Sequence, residues 1–261
     1  MYTHTARKRF GQHFLHDKHI IQHLVEVIAP QPGQHFVEIG PGQGALTLPI
    51  LKIVGKLDAI EIDRDLIPHL NICCANKGNV TIHAIDALEF NFSQWAEAGR
   101  SLRIIGNLPY NISTPLIFHL LTYSQFIIDM HFMLQKEVVE RIAAKPSDEA
   151  YGRLSVMVQY HCKTIALFDV PPAAFYPPPQ VDSKIIRLIP LKETLHPAKD
   201  YQHFAAIVRE AFSHRRKTLR NSLKAMITDE KWKKINIDSQ LRPEQLGVDE
   251  YIKISNSLVE S

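Results

Sequence analysis

The sequence is short of cysteine, of long apolar runs and of charge imbalance, and each shortage removes a class of protein. Its three cysteines, Cys73, Cys74 and Cys162, form no C-x-x-C pair and are odd in number, so neither a disulfide framework nor a metal site is expected. They read as thiols in or near a core. Every apolar stretch is broken by charge or glycine well short of the roughly 20 residues that span a bilayer. The basic opening MYTHTARKRF runs into QHFLHD rather than an apolar signal core, which gives a cytoplasmic expectation with no membrane partner. A net charge of +3 is too small to identify a nucleic-acid binder, so the placement of the charges has to carry that argument. There is no internal repeat and no low-complexity tract.

What is present suits a folded enzyme. An apolar content of 45% over 261 residues can bury a full core, with one larger and one smaller domain as the natural division. KHIIQHLVEVI, 18 to 28, repeats apolar residues at helical spacing and stops before Pro30. Short apolar runs then alternate with helical ones. HFVEIG, LDAIEID, VTIHAIDAL, LRIIGNLPY, FIIDMHFMLQ, the second half of LSVMVQYHCKTIALFDV and SKIIRLIP read as strands, with helices near 114–122, 136–144 and the start of LSVMVQY. The expected fold is α/β with ligand groups gathered at strand carboxyl ends. After Pro190 the pattern turns helical and more charged, which places a domain boundary near 190 and predicts a small helical domain over 191–261.

The first of these strands feeds a glycine turn. EIGPGQGALTL sets Gly40, Gly42 and Gly44 between strand and helix, where backbone can approach a ligand closely. The turn also satisfies a loose dinucleotide pattern, so an NAD-dependent oxidoreductase stays open at this point. Glu61, about twenty residues on, stands where a carboxylate can accept both hydrogen bonds of a ribose diol, with Asp63 as local competitor. Asp86 can accept from an adenine amine, or can simply cap a helix. No groups for hydride transfer accompany them, and together they look like an S-adenosylmethionine pocket.

The most informative stretch is Asn107-Leu108-Pro109-Tyr110. The Asn107 side-chain carbonyl and the Leu108 backbone carbonyl can each accept one hydrogen of an adenine N6 amine. Pro109 fixes the backbone, and Tyr110 can stack on the base, a contact worth about 1–3 kcal/mol. Phe175, in AAFYPPPQVDS, is expected on the other face of the base. Tyr176 can exchange roles with it, and an aromatic that merely anchors the loop is the plain alternative. Since flipping a paired base costs several kcal/mol, unpaired RNA loops and mismatched DNA are the cheapest substrates. The run REAFSHRRKTLRNSLK places Arg209, Arg215, Arg216, Lys217, Arg220 and Lys224 against one carboxylate, Glu210. Arginines at 209, 216 and 220 can share a helical face, which is either a phosphate-contacting surface or a solvated one. Arg7, Lys8 and Arg9 add a second basic cluster.

The blocks KRFGQHFLHD, EIGPGQGALT, EIDRDL, IDAL, NLPYNIS, FYPPPQVDSKIIRL and AFSHRRKTLRNSL, in this order, resemble the bacterial 16S rRNA adenine N6-dimethyltransferase family. The resemblance implies a Rossmann-like class I S-adenosylmethionine-dependent methyltransferase domain over 1–190 and an rRNA-binding helical domain over 191–261. It implies dimethylation of two adjacent adenosines in the 3′-terminal hairpin loop of 16S rRNA within the immature 30S subunit, by a monomer. Cofactor contacts are implied at Gln12, His13, Leu15, Gly40, Gly42, Gly44, Glu61, Asp86 and Asn107. Catalytic contacts are implied at Asn107, Leu108, Pro109, Tyr110 and Phe175, and RNA contacts at Arg216, Lys217 and Arg220. His13 stands where many members have asparagine, and it too can donate and accept. The related macrolide-resistance methyltransferases of the large-subunit rRNA are the nearest competitor, and a non-catalytic RNA-binding assembly factor is a third reading.

Overall fold

The computed structural model describes residues 6–7, 10–96, 101–192, 197–214 and 216–259; Lys8, Arg9 and Arg215 of the expected basic clusters lie outside them. The strands are β1 (Phe14–Leu15), β2 (His35–Ile39), β3 (Lys56–Ile60), β4 (Asn79–His83), β5 (Leu102–Asn107), β6 (Ile127–Gln135), β7 (Cys162–Val170), β8 (Phe175–Tyr176) and β9 (Ser183–Pro190). The helices are α1 (Lys18–Ile28), α2 (Thr47–Val54), α3 (Ile67–Cys74), α4 (Ser93–Ala96), α5 (Ser113–Leu121), α6 (Lys136–Ala143), α7 (Arg153–Gln159), α8 (Tyr201–Ala211), α9 (Leu219–Ser222), α10 (Asp229–Ile235) and α11 (Val248–Leu258).

Seven strands form one sheet in the order β4-β3-β2-β5-β6-β9-β7. The first five pair in parallel, and β9 lies antiparallel to β6. Near-continuous apolar runs such as VEI, LDAI and RIIG are what a parallel sheet covered on both faces requires, and β2, β3 and β5 are buried along most of their length. The expected α/β sheet is therefore present, with the strand ends shifted by a few residues. Helix α1 begins where Asp17 accepts from the N–H groups of His19 and Ile20, and it ends at Ala29 with φ of 48°, just before Pro30. Among the described residues no helix is long and apolar enough to cross a membrane.

At the amino ends of the central strands, Arg103 of β5 donates to both oxygens of Asp129 on β6, at 2.8 and 3.0 Å, and its Nη2 donates to the Ile28 carbonyl at 2.7 Å. Arg187 of β9 donates to the same carboxylate at 2.8 Å. These donors hold the Asp129 carboxyl below its ordinary range despite burial. The C-terminus of α1 and strands β5, β6 and β9 are thereby tied together at the edge opposite the site described below.

The chain divides into two compact units, Met1–Val139 with Ile165–Pro190, and Glu140–Thr164 with Leu191–Ser261. The sequence reading places one cut near 190; a boundary lies there, and residues 140–164 group with the C-terminal helices as well. The Tyr160 ring, which follows α7, packs against Phe204 of α8 with centroids 4.6 Å apart, and Ser147 N–H donates to the Glu244 carbonyl at 2.8 Å. A segment between two sheet strands satisfies its apolar face on helices that come fifty residues later, which chain proximity does not reveal. The basic helical face is corrected. Helix α8 stops at Ala211, so Arg209 lies on it, Arg216 and Lys217 lie in the following turn, and Arg220 belongs to α9.

One glycine fixes how closely the site strands approach. A Cβ on Gly106 would stand 2.6 Å from the Ile39 carbonyl oxygen of β2 and 2.9 Å from Leu108 Cδ2. Gly106→Ala is therefore expected to spread β5 from β2 and to cost about 1–3 kcal/mol in a chemical unfolding curve; an unchanged midpoint contradicts this packing.

Candidate active site

The strand order reverses between β2 and β5, and in open α/β sheets the crevice beyond the carboxyl ends at such a point takes the ligand. A cavity of about 320 Å³ lies there, lined by Phe10 to Leu15, the turn after β2, the ends of β3 and β5 and the loop after β4. Gln12, His13, Leu15, Gly40, Gly42, Glu61, Asp86, Asn107, Leu108, Pro109 and Tyr110 all line it. Residues separated by up to about a hundred positions in sequence are thus brought to one wall.

The glycine turn works through backbone. Gly40 and Gly42 have φ of 67° and 57°, a left-handed conformation that side chains disfavour. This turn aims the Gly42 N–H at Glu61 Oε2, 3.1 Å away, while Asp63 N–H donates to Glu61 Oε1 at 2.9 Å. A Cβ on Gly42 would meet the Phe14 ring at 3.1 Å, so the turn and the segment above it are fitted to each other. Glu61 is 4% exposed, and burial raises its carboxyl while the backbone donors oppose the rise. With backbone donors on both oxygens, the carboxylate keeps acceptor capacity for a diol. Gly44 departs from expectation: it does not line the cavity, and its N–H closes the turn on the Pro41 carbonyl at 2.9 Å.

Asp86 lies three residues beyond the end of β4, where it closes a turn and lines the cavity. One oxygen accepts from Leu88 N–H at 2.9 Å, capping the local turn, while the residue lines the cavity.

At the acceptor end, Asn107 Nδ2 donates to the His13 backbone carbonyl at 2.8 Å. The amide is thereby oriented, since its nitrogen is held by the N-terminal segment and its oxygen is the end left to accept. His13 Nδ1 contacts the Pro177 carbonyl at 2.7 Å, and its ring stacks on Tyr110 at 5.9 Å and 24°. The Tyr110 hydroxyl meets Ser183 Oγ at 2.7 Å, so this ring is pinned at its tip. The turn's own hydrogen bonds use the carbonyls of Pro109, from Ile112 N–H at 3.2 Å, and Tyr110, from Ser113 Oγ at 3.1 Å.

Phe175 is placed apart from the cavity-lining residues. It pairs with Leu15 across the β1–β8 ribbon, is 2% exposed, and belongs to a core cluster with Ala174, Met133 and Ile185. The alternation of a strand sends its neighbour Tyr176 outward, 72% exposed. The loop is anchored by Phe175, and the ring does not line the cavity.

In the second unit, Arg216, Lys217 and Arg220 are exposed, and Arg220 Nη2 is engaged by the Asp229 carboxylate.

Three contributors play parts that the sequence reading did not give them. Glu38 sits mid-strand in HFVEI, lines the cavity, and is 2% exposed with no hydrogen bond to Oε2. Burial lifts its carboxyl to about 7, opposed by the nearby Thr47 hydroxyl and reinforced by the charge of Glu61. An acid inside an otherwise apolar buried strand was the available signal. Asp63 and Arg7 are the other two. Asp63 is buried, and Arg7 Nη1 and Gln12 Nε2 donate to its two oxygens at 2.9 and 2.8 Å.

The chain matches the family model of the ribosomal RNA adenine dimethylases over residues 3–260. It is 54% identical to a ribosomal RNA small subunit methyltransferase A of Pseudomonas syringae, covering 99% of this chain and 97% of that protein. It is 56% identical to the protein of the same name from Chromohalobacter salexigens, over 99% of this chain and 93% of the other. Among solved structures, a dimethyladenosine transferase from Plasmodium falciparum superposes with a TM-score of 0.78 at 25% identity, covering 93% of this chain and 96% of that one. The 23S rRNA methyltransferase ErmE superposes at 0.72 and 20% identity over 95% of this chain and 100% of its own, a likeness of fold.

A carboxyl raised from 4.5 to about 7 binds more protons folded than unfolded, so its contribution to stability is present below about pH 4.5 and lost as pH rises through 7. Glu38→Gln removes that loss. Its stability relative to the parent is expected to be on the order of 3 kcal/mol more favourable at pH 8 than at pH 4, from denaturant curves at both pH values; a pH-independent difference contradicts burial of an ionisable Glu38.

Proposed function

The chain belongs to the ribosomal RNA adenine dimethylase family, and on that footing we propose that it transfers methyl groups from S-adenosylmethionine to N6 of two adjacent adenosines in the 3′-terminal hairpin loop of 16S rRNA. The products are N6,N6-dimethyladenosines. The proposed substrate is the 16S rRNA within the immature 30S subunit, and the protein acts as a monomer in the cytoplasm. Identity of 54–56% to small subunit methyltransferases supports this address over the large-subunit one.

The donor set fits the cofactor. Glu61, with both oxygens held by backbone N–H groups, suits a ribose diol; Asp86 suits an adenine amine; and an acidic wall of Glu38 and Glu61 suits a group that carries positive charge. When bound, S-adenosylmethionine supplies an electrophilic methyl on a sulfonium, whose departure as a neutral thioether needs no acid. The protein's task is alignment and electrostatics.

The observation that carries the reading is the Asn107 to His13 hydrogen bond. With Nδ2 committed there, Asn107 Oδ1 is presented as an acceptor at the end of β5. The Leu108 carbonyl next to it supplies the second acceptor, and Tyr110, tethered to Ser183, supplies the stacking face. The N6 lone pair of adenine is conjugated into the ring and weakly nucleophilic. Two acceptors that draw the amine hydrogens aside would favour pyramidalisation and so turn the lone pair toward a bound donor's methyl group, whose S–C bond would break as the N–C bond forms. The amine becomes cationic and then gives its proton to solvent. The Tyr110 hydroxyl takes no part, because burial raises it further above neutrality.

Labelled methyl transfer to undermethylated small subunits, with none to large subunits, tests the assignment. Asn107→Ala is expected to lower transfer at least a hundredfold, the scale of one transition-state hydrogen-bonding group, while changing particle affinity less than threefold; equal losses in both overturn its role. Reversing the charge of Arg216 and Lys217 together should weaken particle binding and flatten its dependence on salt while cofactor affinity stays constant. Unchanged particle affinity assigns that turn to solvent.

A further inference from the structure

Arg7 belongs to the opening basic run, where a nucleic-acid reading would place it on phosphate, yet its guanidinium is turned toward the cofactor wall. Nη1 donates to Asp63 Oδ1 at 2.9 Å, and Nη2 donates to Asp65. The Arg7 backbone N–H donates to Gln12 Oε1 at 2.8 Å, and Gln12 Nε2 donates to the other Asp63 oxygen at 2.8 Å. The Asp63 side chain has 0% exposure, and its own N–H is the donor on Glu61 Oε1. An unbroken chain of contacts therefore runs from Arg7 to the carboxylate assigned to the ribose.

The same segment reaches the acceptor end. Residues 10–15 line the cavity, and the His13 carbonyl holds Asn107. The near end of the segment is fastened by Arg7 and Gln12 at the loop after β3, and the far end by the β1–β8 ribbon.

We propose that Arg7 is a positioning residue for methyl transfer: docked on Asp63 and Asp65, it holds residues 10–15 across the cavity, so that Glu61 faces the cofactor and the His13 carbonyl orients Asn107. The methyl-transfer part rests on the function proposed above; the cofactor part does not depend on which RNA is modified. The charge is suited to the task. Glu38 and Glu61 line the cavity and Asp63 is bonded to Glu61, whose carboxyl is raised first by burial and further by the Asp63 charge. A cation on Asp63 offsets that repulsion. The fork of a guanidinium spans two carboxylates, as an ammonium does not.

The test measures calorimetric binding of S-adenosylhomocysteine to the full chain without RNA, and single-turnover methylation of undermethylated small subunits at saturating cofactor. Arg7→Ala is expected to weaken S-adenosylhomocysteine about tenfold, the scale of one charge-assisted hydrogen bond, and to slow the single turnover even when the cofactor site is full. Arg7→Lys should recover part of both. Asp63→Asn should reproduce the loss, and the double variant should be no worse than the more damaging single one, because both remove one contact. Asp65→Asn, at an exposed carboxylate, should show a smaller loss in the same direction and serves if Arg7→Ala fails to fold. The proposal is overturned if cofactor affinity is unchanged in Arg7→Ala while particle affinity and its salt slope fall, since Arg7 is then a phosphate contact. It is also overturned if the two single losses add, or if only the melting temperature moves. Loss of the RNA assignment alone leaves the calorimetric result standing.

Discussion

The structure turns on one hydrogen bond, from Asn107 Nδ2 to the backbone carbonyl of His13. An asparagine amide carries a donor and an acceptor end that differ little in shape, and a free one can present either. Committing the nitrogen decides the question: on the proposed function, the acceptor faces the place where an amine must be gripped. Much of the surrounding architecture serves to bring that carbonyl to that amide. Gly106 lets β5 lie close to β2, the β1–β8 ribbon holds the far end of the N-terminal segment, and the glycine turn leaves room for Phe14 above it.

On the proposed function, the cavity joins two chemistries with different electrostatic needs. Its cofactor wall is acidic, with Glu61 held by backbone N–H groups and Glu38 buried in the strand. Its acceptor end uses neutral acceptors and an aromatic ring. A carboxylate at the acceptor end would bind an amine as well, but would also tend to remove its proton or to compete for the cationic cofactor. Neutral carbonyls orient the amine without either effect. The fold keeps the two ends apart on different strands of the reversed sheet, β3 and β4 on one side and β5 on the other.

Much of this was legible in the sequence because it is local. Strand–turn–helix patterning placed Gly40, Glu61 and Asn107 at successive strand ends, and the end of α1 was readable from Pro30. What escaped was set by tertiary partners. Nothing local assigns residues 140–164 to the helices after 190, or reveals that Phe175 faces inward while Tyr176 faces out, since a two-residue strand has no periodicity to read. Arg7 looks like part of a basic tail until its carboxylates, more than fifty residues away, are seen beside it. Glu38 was visible as an acid in an apolar strand, a signal overshadowed by the glycines that follow it.

The most direct test is a high-resolution structure of the chain with S-adenosylhomocysteine and an adenosine-containing RNA loop. The account predicts that Asn107 Nδ2 remains on the His13 carbonyl and that the adenine N6 lies within hydrogen-bond distance of both Asn107 Oδ1 and the Leu108 carbonyl, with its ring on Tyr110. An Asn107 amide turned so that its nitrogen faces the base, or a base held away from Tyr110, contradicts it.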